Sequence, residues 1–154
     1  MESLKRMAGP GLRQASLAWV LLLGALLLGA CTTAPPEQRL REAMTGMQAA
    51  IEQRDAAALA DHLAEDFVGP EGMDRDGARR MALMMLRRYR SVGVTLGPPD
   101  IELQDGHATV RFSAVLTGGS GVLPESARVQ DVTTGWRDEG GTWRLTSADW
   151  ERRL

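Results

Sequence analysis

A chain of 154 residues, 44% hydrophobic and 25% charged, has room for one domain with a core and the composition of a globular protein. Its net charge of −2, with no basic run interleaved with aromatics, lacks the electrostatic footprint of a nucleic-acid binder. The single cysteine excludes an intramolecular disulfide, and with two separated histidines it offers no metal-ligand spacing and no reason to expect a cofactor.

Residues 1–30 have the parts of an export signal. Lys5, Arg6 and Arg13 supply a positive start, and Leu17–Ala30 is an apolar core. That core is shorter than the roughly 20 residues a spanning helix needs. A start at Met7 instead of Met1 would keep Arg13. The segment Leu28-Gly29-Ala30-Cys31 resembles the bacterial lipobox, with two small residues between a Leu and the Cys. The resemblance implies cleavage before Cys31, diacylation of its thiol (typically as palmitate) and acylation of the new amino group. One chain anchors marginally, whereas two or three hold firmly. Thr32, where an Asp would favour the inner membrane, implies the periplasmic face of the outer membrane in a Gram-negative host. The expected division is 1–30 lipoprotein signal peptide, 31–36 lipidated Cys and tether, and 37–154 domain. Thr32–Pro36 reaches at most about 18 Å when extended, at roughly 3.3–3.6 Å per residue.

Beyond the tether, Leu40, Ala43, Met44, Met47, Ala50 and Ile51 recur at helical spacing, predicting an amphipathic helix over Glu37–Gln53. Asp55 suits the N-cap of a second helix, Ala56–Phe67, with Leu59, Leu63 and Phe67 on one face and Gly69-Pro70 ending it. Asp74 or Asp76 can cap a third through Ala78–Arg90, with Met81, Ala82, Met85 and Tyr89 aligned towards the core and Met84 off that face. After Ser91 the period becomes two. Asp100–Gln104 and His107–Thr117 flank the hairpin signal Asp105-Gly106, with Ala108, Val110, Phe112, Ala114 and Leu116 on one face. Arg128–Arg137 and Thr142–Trp150 form a second hairpin around Glu139-Gly140-Gly141. The expected class is α+β: three N-terminal helices packed on a curved antiparallel sheet of about four strands.

The element order, with Arg54-Asp55-Ala56-Ala57-Ala58-Leu59, Ala64-Glu65-Asp66-Phe67 and Gly141-Thr142-Trp143-Arg144-Leu145, resembles the nuclear-transport-factor-2-like superfamily of SnoaL-like proteins and ketosteroid isomerases. This resemblance implies a cone-shaped, cystatin-like fold with a pocket between helices and sheet, and dimerisation through the sheet. Isomerase-type members carry a catalytic Asp just before a Pro after helix two. Here Gly69 holds that place before Pro70, with Asp66 and Glu71 nearby, which argues against isomerase chemistry.

Candidate acids and bases are Asp149, Asp131 and His62. Asp149 shares strand parity with Trp143 and Leu145, which predicts that it faces the core side near the pocket mouth, where a carboxylate needs an Arg or other donors. Asp131 with Arg128 or Arg137 could complete an Asp–Arg–Asp set like that of limonene-epoxide-hydrolase-type relatives. Trp136, Trp150, Tyr89 and Met85 are the candidate ligand-lining residues, with Trp143 reserved for the core. Three functions compete: a membrane-anchored module whose cone binds a small apolar ligand or a protein partner, including a second copy; a pocket enzyme of isomerase or hydrolase type built on Asp149 or Asp131 with an Arg; and a structural envelope lipoprotein whose pocket is filled by its own side chains. The non-catalytic readings are preferred.

Overall fold

Residues 33–120 and 126–153 are described by a computed structural model; the segment expected to be an export signal, and Cys31, lie outside them. Pro35–Leu154 form one compact unit. No helix of the described residues is long and apolar enough to cross a membrane.

Helix α1 spans Pro36–Glu52 and buries Leu40, Met44 and Ala50, the face its periodicity predicts. It ends in a reciprocal pair of backbone bonds, Asp55 N–H to Ala50 O (2.9 Å) and Arg54 N–H to Ile51 O (3.0 Å). That turn places Arg54 in the left-handed region (φ 60°), where a non-glycine residue is strained. Its side chain has a compensating use: Nε donates to Leu86 O at 2.9 Å, capping the end of a later helix. Asp55 then caps α2, its carboxylate accepting from Ala57 N (3.0 Å) and Ala58 N (2.9 Å).

Helix α2 covers only Ala56–Asp61, and Leu63–Val68 is strand β1, not the second half of a helix. Leu63 and Phe67 are both buried, as expected, but a spacing of four satisfies a strand as well as a helix. Parallel pairing with the last strand decides between them, with Leu63 opposite Leu145 and Val68 opposite Ser147. A 3₁₀ turn, Pro70–Gly72, leads to helix α3, Arg75–Arg88, whose N-cap Asp74 accepts from Gly77 N at 2.7 Å.

Strands β2 (Ser91–Leu96), β3 (Asp100–Gln104), β4 (His107–Gly119), β5 (Ser126–Glu139) and β6 (Thr142–Arg152) complete a six-stranded sheet in the order β1-β6-β5-β4-β2. β3 pairs with the first half of β4 and β2 with the second. The sheet therefore has six strands, not about four, and the helices do not all precede it, because β1 separates α2 from α3. The two additional strands are β1 and β2. Among the described residues only the β1–β6 pair is parallel.

One face of this sheet carries the core. Leu40 and Met44 of α1 meet Leu63, Phe67, Ala108, Val110, Trp136, Trp143 and Leu145. Its buried polar groups are mutually satisfied. The Trp136 indole N–H donates to Thr134 Oγ1 at 2.9 Å, and that hydroxyl donates to Val110 O at 3.2 Å. Trp143 donates to Pro36 O at 3.0 Å, fastening the start of α1 to β6.

Candidate functional site

Along β5 and β6 the two faces of the sheet separate two kinds of chemistry. Paired residues project to the same face. Trp136 stands opposite Leu145, Thr134 opposite Ala148 and Val132 opposite Trp150, so these belong to the core side. Thr133 stands opposite Asp149 and Asp131 opposite Glu151, so these belong to the other face. The strand-parity expectation for Asp149 is thus overturned. Between Gly135–Ser147 and Trp136–Leu145 the register shifts, and Thr146 is the extra residue of a β-bulge. Past the bulge Ala148 and Trp150 take over the core-facing parity that Trp143 and Leu145 held. Gly135 is the matching adaptation: a Cβ there would lie 2.6 Å from Ser147 Oγ and 3.2 Å from Thr146 Oγ1.

Two open recesses adjoin this second face. One, of about 470 Å³, is walled by Arg111, Phe112, Ser113, Asp131, Val132, Thr133, Asp149, Trp150, Glu151 and Arg153. The other, of about 510 Å³, is walled by Val68, Gly69, Pro70, Glu71, Thr133, Ser147, Ala148 and Asp149. Thr133 and Asp149 belong to both. Asp149 is exposed, and its Oδ1 accepts from Trp150 N at 2.9 Å. Asp131 is held by Arg153, with Nη2 at 2.9 Å from Oδ1 and Nε at 3.1 Å from Oδ2. Arg111 is held by Glu102 at 2.7 Å.

The expected Asp–Arg–Asp set is not assembled. Arg137 sits at the other end of β5, bidentate to Asp66 (2.9 and 2.8 Å) and bonded to Glu139 at 2.7 Å. Its guanidinium holds the Asp66 carboxyl below the usual carboxylate range. Arg128 pairs across from Leu116 on the core-side face. Asp131 takes Arg153 instead, a residue just past the end of β6 that strand-by-strand reading did not weigh. The signal was available: a basic residue trailing a strand that ends beside an acidic one.

The candidate ligand-lining residues are dispersed. Trp136 is 2% exposed and fills the interior. Trp150 is half-buried beside the first recess. Tyr89 is half-buried at the end of α3, its ring against Gly118, where a Cβ would come within 3.0 Å of ring carbons. Met85 is 45% exposed. Of the aligned set Met81, Ala82, Met85 and Tyr89, Ala82 lies on the inner stripe with Ala78 and Leu86, Met81 and Tyr89 are half-buried, and only Met85 is turned out to solvent. The physical reason is proximity: α3 packs on α2, whose own buried residues are Ala56 and Ala60, and small side chains let the two helices approach.

His62 caps α2 half-buried, with its ring over Gly46 of α1, where a Cβ would lie 3.0 Å from Cε1. Burial, then the Arg144 charge, push its pKa below the usual histidine value, and Asp61 opposes them. It lines neither recess. His107 is exposed, with Nδ1 3.1 Å from Asp105 O. No group of three or more His, Cys, Asp or Glu among the described residues could hold a metal ion. Gly69, where an isomerase-type acid would stand, is buried. A Cβ there would be 3.1 Å from Met73 Cε and 3.2 Å from the Phe67 ring, so that space is occupied by hydrophobic side chains.

Several solved structures share this architecture. Bd1075 of Bdellovibrio bacteriovorus matches with a TM-score of 0.67 at 16% identity, covering 75% of this chain; the chain spans only 41% of that protein's length. A proposed dehydratase of the NTF2-like family from Streptomyces avermitilis gives 0.66 at 16% identity, covering 76% of this chain and 95% of that one. An NTF2-like protein with a cystatin-like fold from Novosphingobium aromaticivorans gives 0.65 at 18%, covering 92% and 90%. The fold is therefore the nuclear-transport-factor-2-like, cystatin-like α+β fold. The sequence matches no family model and no curated protein.

Proposed function

We propose that this chain is a lipid-anchored envelope module that acts by presenting a surface, its cone filled by its own side chains. The observation that carries this reading is the interior around Trp136. That indole is buried with its donor satisfied, and Leu40, Val110 and Phe67 close around it. An apolar ligand enclosed in the cone, which would need roughly 300 Å³ or more, would have to displace these side chains. The two recesses, of about 470 and 510 Å³, are open and carry the carboxylates Asp131, Asp149, Glu151 and Glu71 in their walls. The anchor in this proposal is acylated Cys31, and the location is the periplasmic face of the outer membrane. A protein partner, or a second copy pairing through the uncovered sheet face, is the binding mode that remains.

The test is native mass spectrometry of the lipidated protein released into detergent. The expected result is a mass accounted for by the acylated chain or its dimer. A co-purified apolar small molecule, lost on enlarging a core residue such as Ala108→Leu, would overturn the filled-cone reading. Acyl labelling checks the anchor separately: Cys31→Ser should lose the label, and unchanged labelling would refute Cys31 as the lipidated residue.

A second reading rests on one specific observation: Asp149, Glu71 and Ser147 share the second recess. A hydrolase- or isomerase-type reaction there would use Asp149 as base. The dehydratase description attached to the Streptomyces structure belongs to that protein and lends this chain only a class of reaction to assay. Turnover of a candidate substrate that Asp149→Asn abolishes would establish it.

A further inference from the structure

The outer face of α3 has a composition that the fold does not require. Its positions Arg80, Leu83, Met84, Arg87 and Arg88 follow the i, i+3, i+4, i+7, i+8 pattern that lines up one stripe of a helix. All five are exposed, opposite the Ala78–Ala82–Leu86 stripe that packs inwards. Met84 is 63% exposed, and Leu83, Met84 and Met85 make up three of the six large exposed hydrophobics among the described residues. An ordinary solvated face would hold mixed charges at these positions.

The charge is one-sided. After Asp76 in the first turn, every ionised residue of α3 is an arginine. Arg75, at the start of α3, and Arg39, Arg41, Arg111, Arg137 and Arg153 outside it each pair with a carboxylate. Arg80, Arg87 and Arg88 have none within reach among the described residues, a property they share with Arg54, Arg79, Arg90, Arg128, Arg144 and Arg152; what distinguishes them is that they line one helix stripe together with the exposed Leu83 and Met84. Helix-end electrostatics account for only part of this. Cations are favoured in a last turn, but the Leu86 carbonyl already takes its bond from Arg54. That accounting says nothing of Arg80, or of a methionine and a leucine held out in water between the arginines.

The geometry points to a lipid surface as the occupant: α3 lies on an anionic bilayer, with Leu83 and Met84 entering the headgroup boundary and Arg80, Arg87 and Arg88 bonding lipid phosphates. Charge complementarity chooses this occupant. Arginine stems lie along apolar surface while their heads stay at the phosphates, so a mixed Arg–Met stripe suits an interface better than water or a dry protein groove. The inference rests on the anchoring reading, because a tether holding the domain at the bilayer lets a weak contact fill. Each basic residue at an anionic surface strengthens binding about fivefold.

The test uses the full-length lipidated chain carrying Met84→Cys, labelled with an environment-sensitive dye and reconstituted into vesicles. With Cys31 acylated the new thiol is the only free one, so labelling should reach one dye per chain. Dye emission is compared in neutral phosphatidylcholine vesicles and in vesicles with one-third phosphatidylglycerol. Blue-shifted emission is expected only in the anionic vesicles, reversed by high salt. Arg80→Glu/Arg87→Glu/Arg88→Glu should reduce the docked fraction at least tenfold. Identical emission in both vesicles, from chains that float with both, overturns the helix contact and leaves the anchor standing. Two dyes per chain, or failure to float with neutral vesicles, overturns the anchor; a shift on anionic vesicles alone would then still support the helix contact. A shift in native envelope membranes but not in protein-free anionic vesicles identifies a protein occupant and overturns the lipid assignment.

Discussion

Strands β5 and β6 have two faces made from alternate residues of the same segments, and the faces do different things. On the core side Trp136, Thr134 and Leu145 are buried and their polar atoms are satisfied within the protein. On the other side Asp131, Thr133, Asp149 and Glu151 remain exposed beside open recesses. Nothing in hydropathy assigns the second half of β6 to its faces. The bulge at Thr146 does, by advancing the strand one residue. The difference teaches that a carboxylate's role in a sheet of this kind is set by register before it is set by chemistry.

The sharpest way to break the contrast is to empty the core side. Trp136→Ala should cost about 3–5 kcal/mol of unfolding free energy, the usual range for a buried aromatic, measured by urea denaturation. Asp149→Asn, on the other face, should stay within about 0.5 kcal/mol. A comparable loss for both would mean that the recess face is structural. Thr134→Val keeps the volume but leaves the Trp136 indole N–H without its acceptor. It should cost about 1–3 kcal/mol, the penalty of a buried unsatisfied donor. Combined with Trp136→Phe, which removes the donor at the cost of a cavity, the total loss should be smaller than the sum of the two single losses, and purely additive effects would show that the bond contributes nothing.

The bulge itself can be tested from its partner strand. Gly135→Ala puts a methyl 2.6 Å from Ser147 Oγ, so the strand or the hydroxyl must move. Overpacking of this kind costs about 1–3 kcal/mol, and Ser147→Gly in the same chain should relieve it. If the double variant is no more stable than Gly135→Ala alone, the close approach is not what keeps glycine at this position.

Where sequence reading succeeded, local spacing carried the information. Helix α1 shows apolar residues at three- and four-residue intervals that no strand reproduces. The β3–β4 hairpin follows from Asp105-Gly106, with Gly106 at φ 69° as that turn requires. Where it failed, the deciding fact was non-local. Leu59, Leu63 and Phe67 are spaced by four, which both periods accept, and only pairing with β6 makes Leu63–Val68 a strand. On α3, methionine outranks alanine in hydrophobicity, yet the neighbouring helix selects small side chains. For Asp149, counting residues assumed an unbroken alternation, and the one local hint of a break was a glycine at position 135 in the middle of β5.

The smallest expected effect is a pH dependence that separates two more regions, the α2 end and the β5–β6 turn. His62 lies below its ordinary 6.5 because burial disfavours the imidazolium, so on acidification the unfolded chain takes up this proton first. Stability must then fall as pH drops through about 6.5 and below. Asp138 works in a lower window. Arg39 bonds its Oδ2 at 2.9 Å and Gly141 N donates to its Oδ1 at 2.7 Å, tying α1 to the turn. The Arg39 bond foremost holds its carboxyl below the ordinary 3.8. That contribution is complete above the ordinary value and is lost as pH falls through the depressed one. Urea midpoints followed from neutral pH downwards should therefore decline in two steps. His62→Gln should flatten the upper step alone. Asp138→Asn should reduce the lower one without abolishing it, since Asp66, paired with Arg137, titrates in the same window. An upper step that survives His62→Gln would move the sensitive group away from the α1–α2 contact at Gly46.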